Sequence, residues 1–140
     1  MTPLPGRFAA GLCALLLLAA TPALAEQLGI ELNRAADENG RCQASFLVRN
    51  GLGHTLDRFS LDLYLFDAGG RVASRILVDL APVPDGRTTP FSFSLDRPCA
   101  ELGSILIAAA PSCRAQGNAA TLDCMAALSV SSRDRLALEK

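Results

Sequence analysis

The sequence predicts an all-β protein: an antiparallel, immunoglobulin-like β-sandwich of about seven strands behind a cleaved leader. Three observations carry that prediction. Short runs of period-two alternation recur along the chain, most clearly from Asp57 to Asp67. Turn signals rich in Gly, Pro and Asn separate them at fairly regular intervals. No segment beyond the leader holds a convincing helical period, and the cysteines fall among the strands as in a small exported domain. A small barrel is the competing architecture.

The leader comes first. Arg7 gives a short positive n-region, Phe8 to Ala20 is apolar, and Thr21-Pro-Ala-Leu-Ala25 ends in the small-x-small pattern of a secretory cleavage site. Residues 1–25 therefore read as a signal peptide, with Glu26 opening the mature chain. A membrane-spanning helix needs about 20 apolar residues, and this run stops well short at Thr21-Pro22. Cys13 lies inside the run rather than after it, so lipid anchoring is not expected.

Cleavage leaves 115 of the 140 residues, enough for one domain with its own core. We place the β-sandwich in residues 26–132 and a polar C-terminal tail in 133–140. With Arg7 removed from the 13 basic residues, 12 remain against 14 acidic ones. The positive charges are scattered singly, so no basic stripe offers itself to nucleic acid or to an anionic membrane.

Of the 5 cysteines, all but Cys13 stay in the exported chain: Cys42, Cys99, Cys113 and Cys124. An even number in an oxidising compartment reads as two structural disulfides, for which three pairings exist. Cys113 and Cys124 bracket a short polar loop that closes locally, which favours that pair and leaves Cys42 with Cys99. No C-x-x-C supports thiol exchange, and no second pair has zinc spacing.

Leu28, Ile30 and Leu32 alternate with small or polar residues as a first strand. Arg34 to Glu38 reads as a polar connection, and Asn39-Gly40 is a sharp return. A second strand runs from about Cys42 to Val48 and ends at Asn50-Gly-Leu-Gly53. The third is the clearest: Phe59, Leu61, Leu63 and Leu65 share one face, with Ser60, Asp62, Tyr64 and Phe66 on the other. Asp67-Ala-Gly-Gly70 supplies a turn, and Arg71 to Leu80 is a fourth strand. A tight hairpin there predicts Leu65 opposite Val72, Leu61 opposite Ile76, Phe59 opposite Val78, and an Asp62–Arg75 ion pair across the strands.

Pro82, Pro84 and Pro90 limit ladder formation in the next stretch, which is expected at an edge or between sheets, with a turn at Pro84-Asp-Gly-Arg87. Phe91, Phe93 and Leu95 then alternate inward. Ile105 to Ala110 is apolar on both faces, as a strand buried on both sides would be. Cys124 to Ser132 reads as the last strand.

Phe46-Leu-Val-Arg-Asn50, the Gly-containing loop through Leu56, and Leu63-Tyr-Leu-Phe-Asp67 with Gly70-Arg-Val72 resemble the FxLYD-type domain, a small bacterial β-sandwich module. The likeness covers about a third of the mature chain. Leu63 stands where the motif has Phe, Gly69-Gly70 lengthens the turn, and the cysteines are additional. The resemblance implies an extracytoplasmic interaction module and carries over no catalytic residues.

Reaction chemistry is hard to build from this chain. His54, Asp57 and Ser60 supply hydrolase residue types, but triad members generally converge from separate elements and no nucleophile elbow surrounds Ser60. One His and 2 Met do not furnish the usual copper or zinc site. Asp57, Asp62 and Asp67 alternate faces on a strand and match no calcium loop. No catalytic residue, metal ligand or cofactor is therefore expected. What remains is surface: His54 in its loop, and Tyr64 and Phe66 opposite the leucine stripe, form the candidate interaction surface. The expected function is a non-enzymatic periplasmic or secreted module that binds a protein partner, an accessory of an envelope complex. The alternative is a small-ligand carrier or sensor using the loops Gly51–His54 and Pro82–Arg87.

Overall fold

The computed structural model describes residues 1–6, 27–118 and 120–140. The expected leader and its cleavage site fall, from residue 7 to residue 26, outside the described residues. Among the described residues the strands are β1 (Leu28–Glu38), β2 (Arg41–Asn50), β3 (Leu56–Asp67), β4 (Val72–Asp79), β5 (Thr88–Ser94), β6 (Leu102–Ala115), β7 (Leu128–Ser132) and β8 (Ala137–Glu139). A 3-10 turn, Cys99–Glu101, leads into β6, and a one-turn helix, α1 (Cys124–Ala127), precedes β7. Among the described residues no helix is long and apolar enough to cross a membrane.

The strands form two four-stranded sheets, ordered β5-β2-β1-β7 and β4-β3-β6-β8. The chain is thus the expected sandwich, with β1, β2 and β5 in one layer and β3 and β6 in the other, as immunoglobulin-type folds place strands A, B, E and C, F. Both sheets are mixed rather than antiparallel, because β7 runs parallel to β1 and β8 parallel to β6. This follows from the end of the chain. Having crossed to the first sheet for β7, it returns through Arg133–Leu136 and adds β8 to the second.

Period-two alternation sets which residues meet between the layers. Leu28, Ile30 and Leu32 of β1, Ala44, Phe46 and Val48 of β2, the β3 stripe Phe59, Leu61, Leu63 and Leu65, and Ile105 and Ile107 of β6 are all buried in one cluster. Each fully buried aliphatic side chain contributes roughly 2 kcal/mol by removing apolar surface from water. The outward face of β6 is open at Ala108 and half-covered at Ser104 and Leu106, so this strand is not buried on both sides as its composition suggested. Its apolar outward residues become part of a surface.

Asn39-Gly40 forms the β1–β2 turn with positive φ at both residues (52° and 77°), the conformation the dipeptide favours. The segment expected as a polar connection, Arg34–Glu38, instead continues β1 beyond a bulge between Leu32 and Arg34. At the β3–β4 turn, Asp67 Oδ1 accepts from the N–H groups of Gly69 and Arg71, both at 2.9 Å. Gly103 passes directly beneath this turn. A Cβ there would lie 2.7 Å from the Asp67 carbonyl oxygen, so only glycine lets β6 approach so closely.

Both disulfides join the expected partners, Cys42 with Cys99 and Cys113 with Cys124. The first ties β2 to the 3-10 turn, and the second ties β6 to α1. The anticipated last strand begins with α1 rather than extended chain, because the Asp123 carboxylate accepts from the Ala126 N–H and caps one helical turn. The anticipated polar tail is also corrected. Leu136 and Leu138 are buried in the core, Arg135 donates to the carbonyls of Leu102 and Cys99 at 3.0 and 2.8 Å, and Lys140 Nζ reaches the Leu128 carbonyl. The last residues form an edge strand.

Candidate functional site

The β3–β4 hairpin carries the surface the sequence singled out, in a register two positions from the expected one. Leu61 faces Val78, Leu63 faces Ile76 and Leu65 faces Ser74, with an irregularity between Leu65 and Phe66 that leaves Ala73 unpaired. Asp67 closes a longer turn through its bond from the Arg71 side, and the bulge absorbs one further residue. A shift of two preserves the faces, so Ile76 and Val78 still point inward. Beyond the bulge, however, Val72 sits opposite Phe66 on the outward face instead of opposite Leu65 in the core.

The outward face of β4, β3 and β6 is built in three rows. Phe66 lies between Val72 and Ser104, Tyr64 between Arg75 and Leu106, and Asp62 between Leu77 and Ala109. Leu77 is 68% exposed and Val72 60%, whereas Tyr64, Phe66 and Leu106 are half-buried. Arg75 Nε and Nη2 donate to the two Asp62 carboxylate oxygens at 2.8 and 2.7 Å, and the guanidinium carbon lies 5.4 Å from the Tyr64 ring centre. This fork-to-carboxylate bond holds the Asp62 pKa below its ordinary value against the opposing effect of burial, and raises that of Arg75. The result is a face with its one buried charge neutralised, framed by apolar and aromatic side chains.

His54 is not part of this face. It is exposed in the β2–β3 loop, at the start of β3, whereas Tyr64 and Phe66 occupy the other end of that strand. Its loop is organised by Asn50, which is fully buried. Asn50 Nδ2 donates to the carbonyls of His54 (2.8 Å) and Val83 (2.9 Å), and its Oδ1 accepts from the Leu52 N–H (3.0 Å). The loops Gly51–His54 and Pro82–Arg87 do meet, through Gly53 N–H to Asp85 Oδ1 at 3.0 Å and Asp85 N–H to Thr55 Oγ1 at 3.2 Å. Asp85 is thereby engaged in tying the two loops together.

The hydrolase-type residues separate in the fold. Asp57 pairs with Arg114 at 3.3 Å, and Ser60 Oγ accepts from the Ser112 N–H at 3.1 Å. Among the described residues the His54 ring makes no hydrogen bond. Asp57, Asp62 and Asp67 each have a local use, as two ion pairs and a turn cap. Among the described residues no group of three His, Cys, Asp or Glu side chains is placed to hold a metal ion.

Leu77, Val72, Leu106 and Asn50 escaped sequence reasoning. Leu77 was legible in principle, since alternation with Ile76 and Val78 inward turns it outward. Val72 was not, because its side depends on the bulge at Ala73. Asn50 carried only the signal of an Asn-Gly turn and gave no sign of its burial.

No family model matches the chain, and no curated protein matches it. A solved structure, that of IrmA from Escherichia coli, is similar at a TM-score of 0.60 and 16% identity, covering 74% of this chain and 89% of that one. At that identity the likeness establishes a shared fold and nothing finer. The chain is a disulfide-bonded β-sandwich of that architecture, presenting an apolar outward face on β4-β3-β6.

Proposed function

We propose that this protein is a non-enzymatic periplasmic or secreted binding module that engages a protein partner through the outward face of β4, β3 and β6. The observation that carries the reading is the contiguity of Val72, Phe66, Tyr64 and Leu106 on three adjacent strands, with the exposed Leu77 set beyond the Arg75–Asp62 pair. Scattered apolar residues need no explanation, but a connected patch edged by a neutralised Arg–Asp pair has the composition of a recognition surface. Two disulfides and the resemblance of β2 and β3 to an exported module support an extracytoplasmic setting. The small-ligand alternative has weaker support, because the loops it would use are tied to each other through Asp85.

A photo-crosslinking residue placed at Tyr64 or Phe66, and for comparison at Gln43 on the other sheet, tests the proposal in the producing cell. One discrete crosslinked protein from Tyr64 and Phe66 but not from Gln43 is expected. The same products from all three positions, or none, would overturn it.

A further inference from the structure

The second sheet ends at β4, and its free edge is defined by the ladder on the other side. The Leu80 N–H bonds the Phe59 carbonyl at 2.8 Å, and the same register makes Leu61/Val78 and Leu63/Ile76 the hydrogen-bonded pairs. Arg75, Leu77 and Asp79 therefore turn their own N–H and C=O groups away from β3, toward solvent. The first part of the edge is already closed. Arg97 Nη2 donates to the Ala73 carbonyl at 3.0 Å, and Ser74 Oγ bonds Asp96 at 2.7 Å. What stays open is the stretch from Arg75 to Asp79.

The other edges are blunted. On β5 the Leu95 N–H bonds the Cys42 carbonyl, so in that register Pro90, opposite Leu47, directs its donor-less nitrogen outward. The remaining edge strands, β7 and β8, are 5 and 3 residues long. Among the described strands only β4 combines length, open backbone groups and an exposed leucine, Leu77.

We propose that the β4 edge is a homodimer interface, in which two copies pair antiparallel about a two-fold axis at Leu77 and join their second sheets into one. Charge selects this register. Pairing must match outward-turned residues with one another, so the two-fold axis falls at Arg75, at Leu77, at Asp79, or between neighbouring members of the set. An axis at Arg75 sets two guanidinium groups against each other, one at Asp79 two carboxylates, and one between members sets Leu77 against a charge. The axis at Leu77 stacks leucine on leucine and places Arg75 opposite the other copy's Asp79 on both sides. Arg75 is ready for this, because Asp62 engages Nε and Nη2 and leaves Nη1 free. Asp79 is exposed and uses one oxygen for the Ala81 N–H. The inference is independent of the partner proposed above: the dimer uses the strand edge and Leu77, and leaves Val72, Phe66, Tyr64 and Leu106 of the outward face open on both copies.

Sedimentation of the purified protein from ~10 μM to ~1 mM should show a reversible dimer, since one strand pair buries far less than a standard interface. Asp79→Arg sets Arg75 against arginine and should weaken association by more than ~10-fold, whereas Asp79→Asn, which keeps the bond from Ala81, should weaken it less. Leu77→Cys should crosslink on oxidation, because hydrogen-bonded partners sit ~5.5 Å apart at Cα. Val72→Cys, displaced by ~33 Å from its counterpart in this register, should not. A monomer throughout that range, a dimer indifferent to Asp79→Arg, or equal crosslinking at both cysteine positions would overturn the proposal. These readouts need no second protein, so failure of partner capture and failure of dimerisation are told apart.

Discussion

Arg75 and Asp62 are joined on the diagonal of the β3–β4 ladder, two hydrogen bonds of 2.8 and 2.7 Å linking residues whose direct neighbours are Tyr64 and Leu77. The pair was foreseen as a straight cross-strand contact. It survives the two-position shift because an arginine spans the diagonal, and the shift brings its guanidinium over the Tyr64 ring as well. Asp62 is only 8% exposed. Its ionised form is tolerated there because both oxygens are met by the fork of one cation.

That geometry makes acid stability depend on Asp62. Its pKa is lowered from the ordinary 3.8 by the Arg75 bonds, and that of Glu31 from 4.5 by Asn33 first and then Arg133. Both shifts are downward, so their stabilising effect is complete above the ordinary values and is lost as pH falls through 4.5 and 3.8 toward the lower folded-state values. Urea midpoints of the wild type and Asp62→Asn should differ clearly at pH 7, and the gap should narrow progressively as pH falls below 3.8. A gap that stays unchanged as pH falls would show that Asp62 stabilises by something other than its charge.

Asn50 should be the most sensitive polar residue of the fold. Asn50→Ala removes the two donors and the acceptor that lock the β2–β3 loop to Val83, at an expected cost of about 2–3 kcal/mol. Denaturant titration measures the loss, and hydrogen exchange should show faster amides at Leu52, Gly53 and Asp85. His54→Ala, on an exposed side chain, should stay within about 0.5 kcal/mol of the wild type. If the two substitutions prove equal, the loop is not organised by Asn50.

The disulfides should rank by the loops they close. Cys42–Cys99 spans 57 residues and Cys113–Cys124 spans 11. Chain entropy gives roughly 4 and 3 kcal/mol respectively. Paired Cys→Ala substitution should therefore cost more at the first bridge, which also loses packing at the buried Cys42. Unfolding of the two double variants without reductant measures the order, and a reversal would mean that the β6–α1 link is the structural keystone.

The sequence showed which face of each long strand is core because alternation is a local property. Leu61, Leu63 and Leu65 declare their side without reference to any neighbour. The β3–β4 register was not legible in the same way. It depends on whether Asp67 closes a tight or a longer turn and on whether Ala73 is skipped, and neither choice changes the hydrophobic pattern of β4 beyond Val72. For the candidate face, Tyr64 and Phe66 could be read directly. Leu106 was hidden by the apolar composition of β6 on both sides, and Val72 by the bulge. His54 was grouped with the aromatics by proximity in sequence, yet an extended strand carries neighbours in sequence to opposite ends of a sheet.

The end of the chain is not legible in the sequence for a related reason, and it yields the sharpest stability test. Leu136 and Leu138 alternate over a strand of 3 residues, too short for period to register, amid charges that suggested a solvated tail. In the fold those two side chains fill the core beside Ile105, while Arg135 and Lys140 bind backbone carbonyls of other elements. Leu136→Ala should cost about 2–5 kcal/mol, as for other buried leucines. Ala137→Ser, pointing outward from the same strand, should change stability by no more than about 0.5 kcal/mol. Truncation before Arg135 removes both leucines and the two carbonyl bonds of Arg135 together, and should leave a chain that unfolds at far lower denaturant than either point variant. Should the truncated chain match the wild type in a urea titration, β8 is an appended strand rather than part of the core.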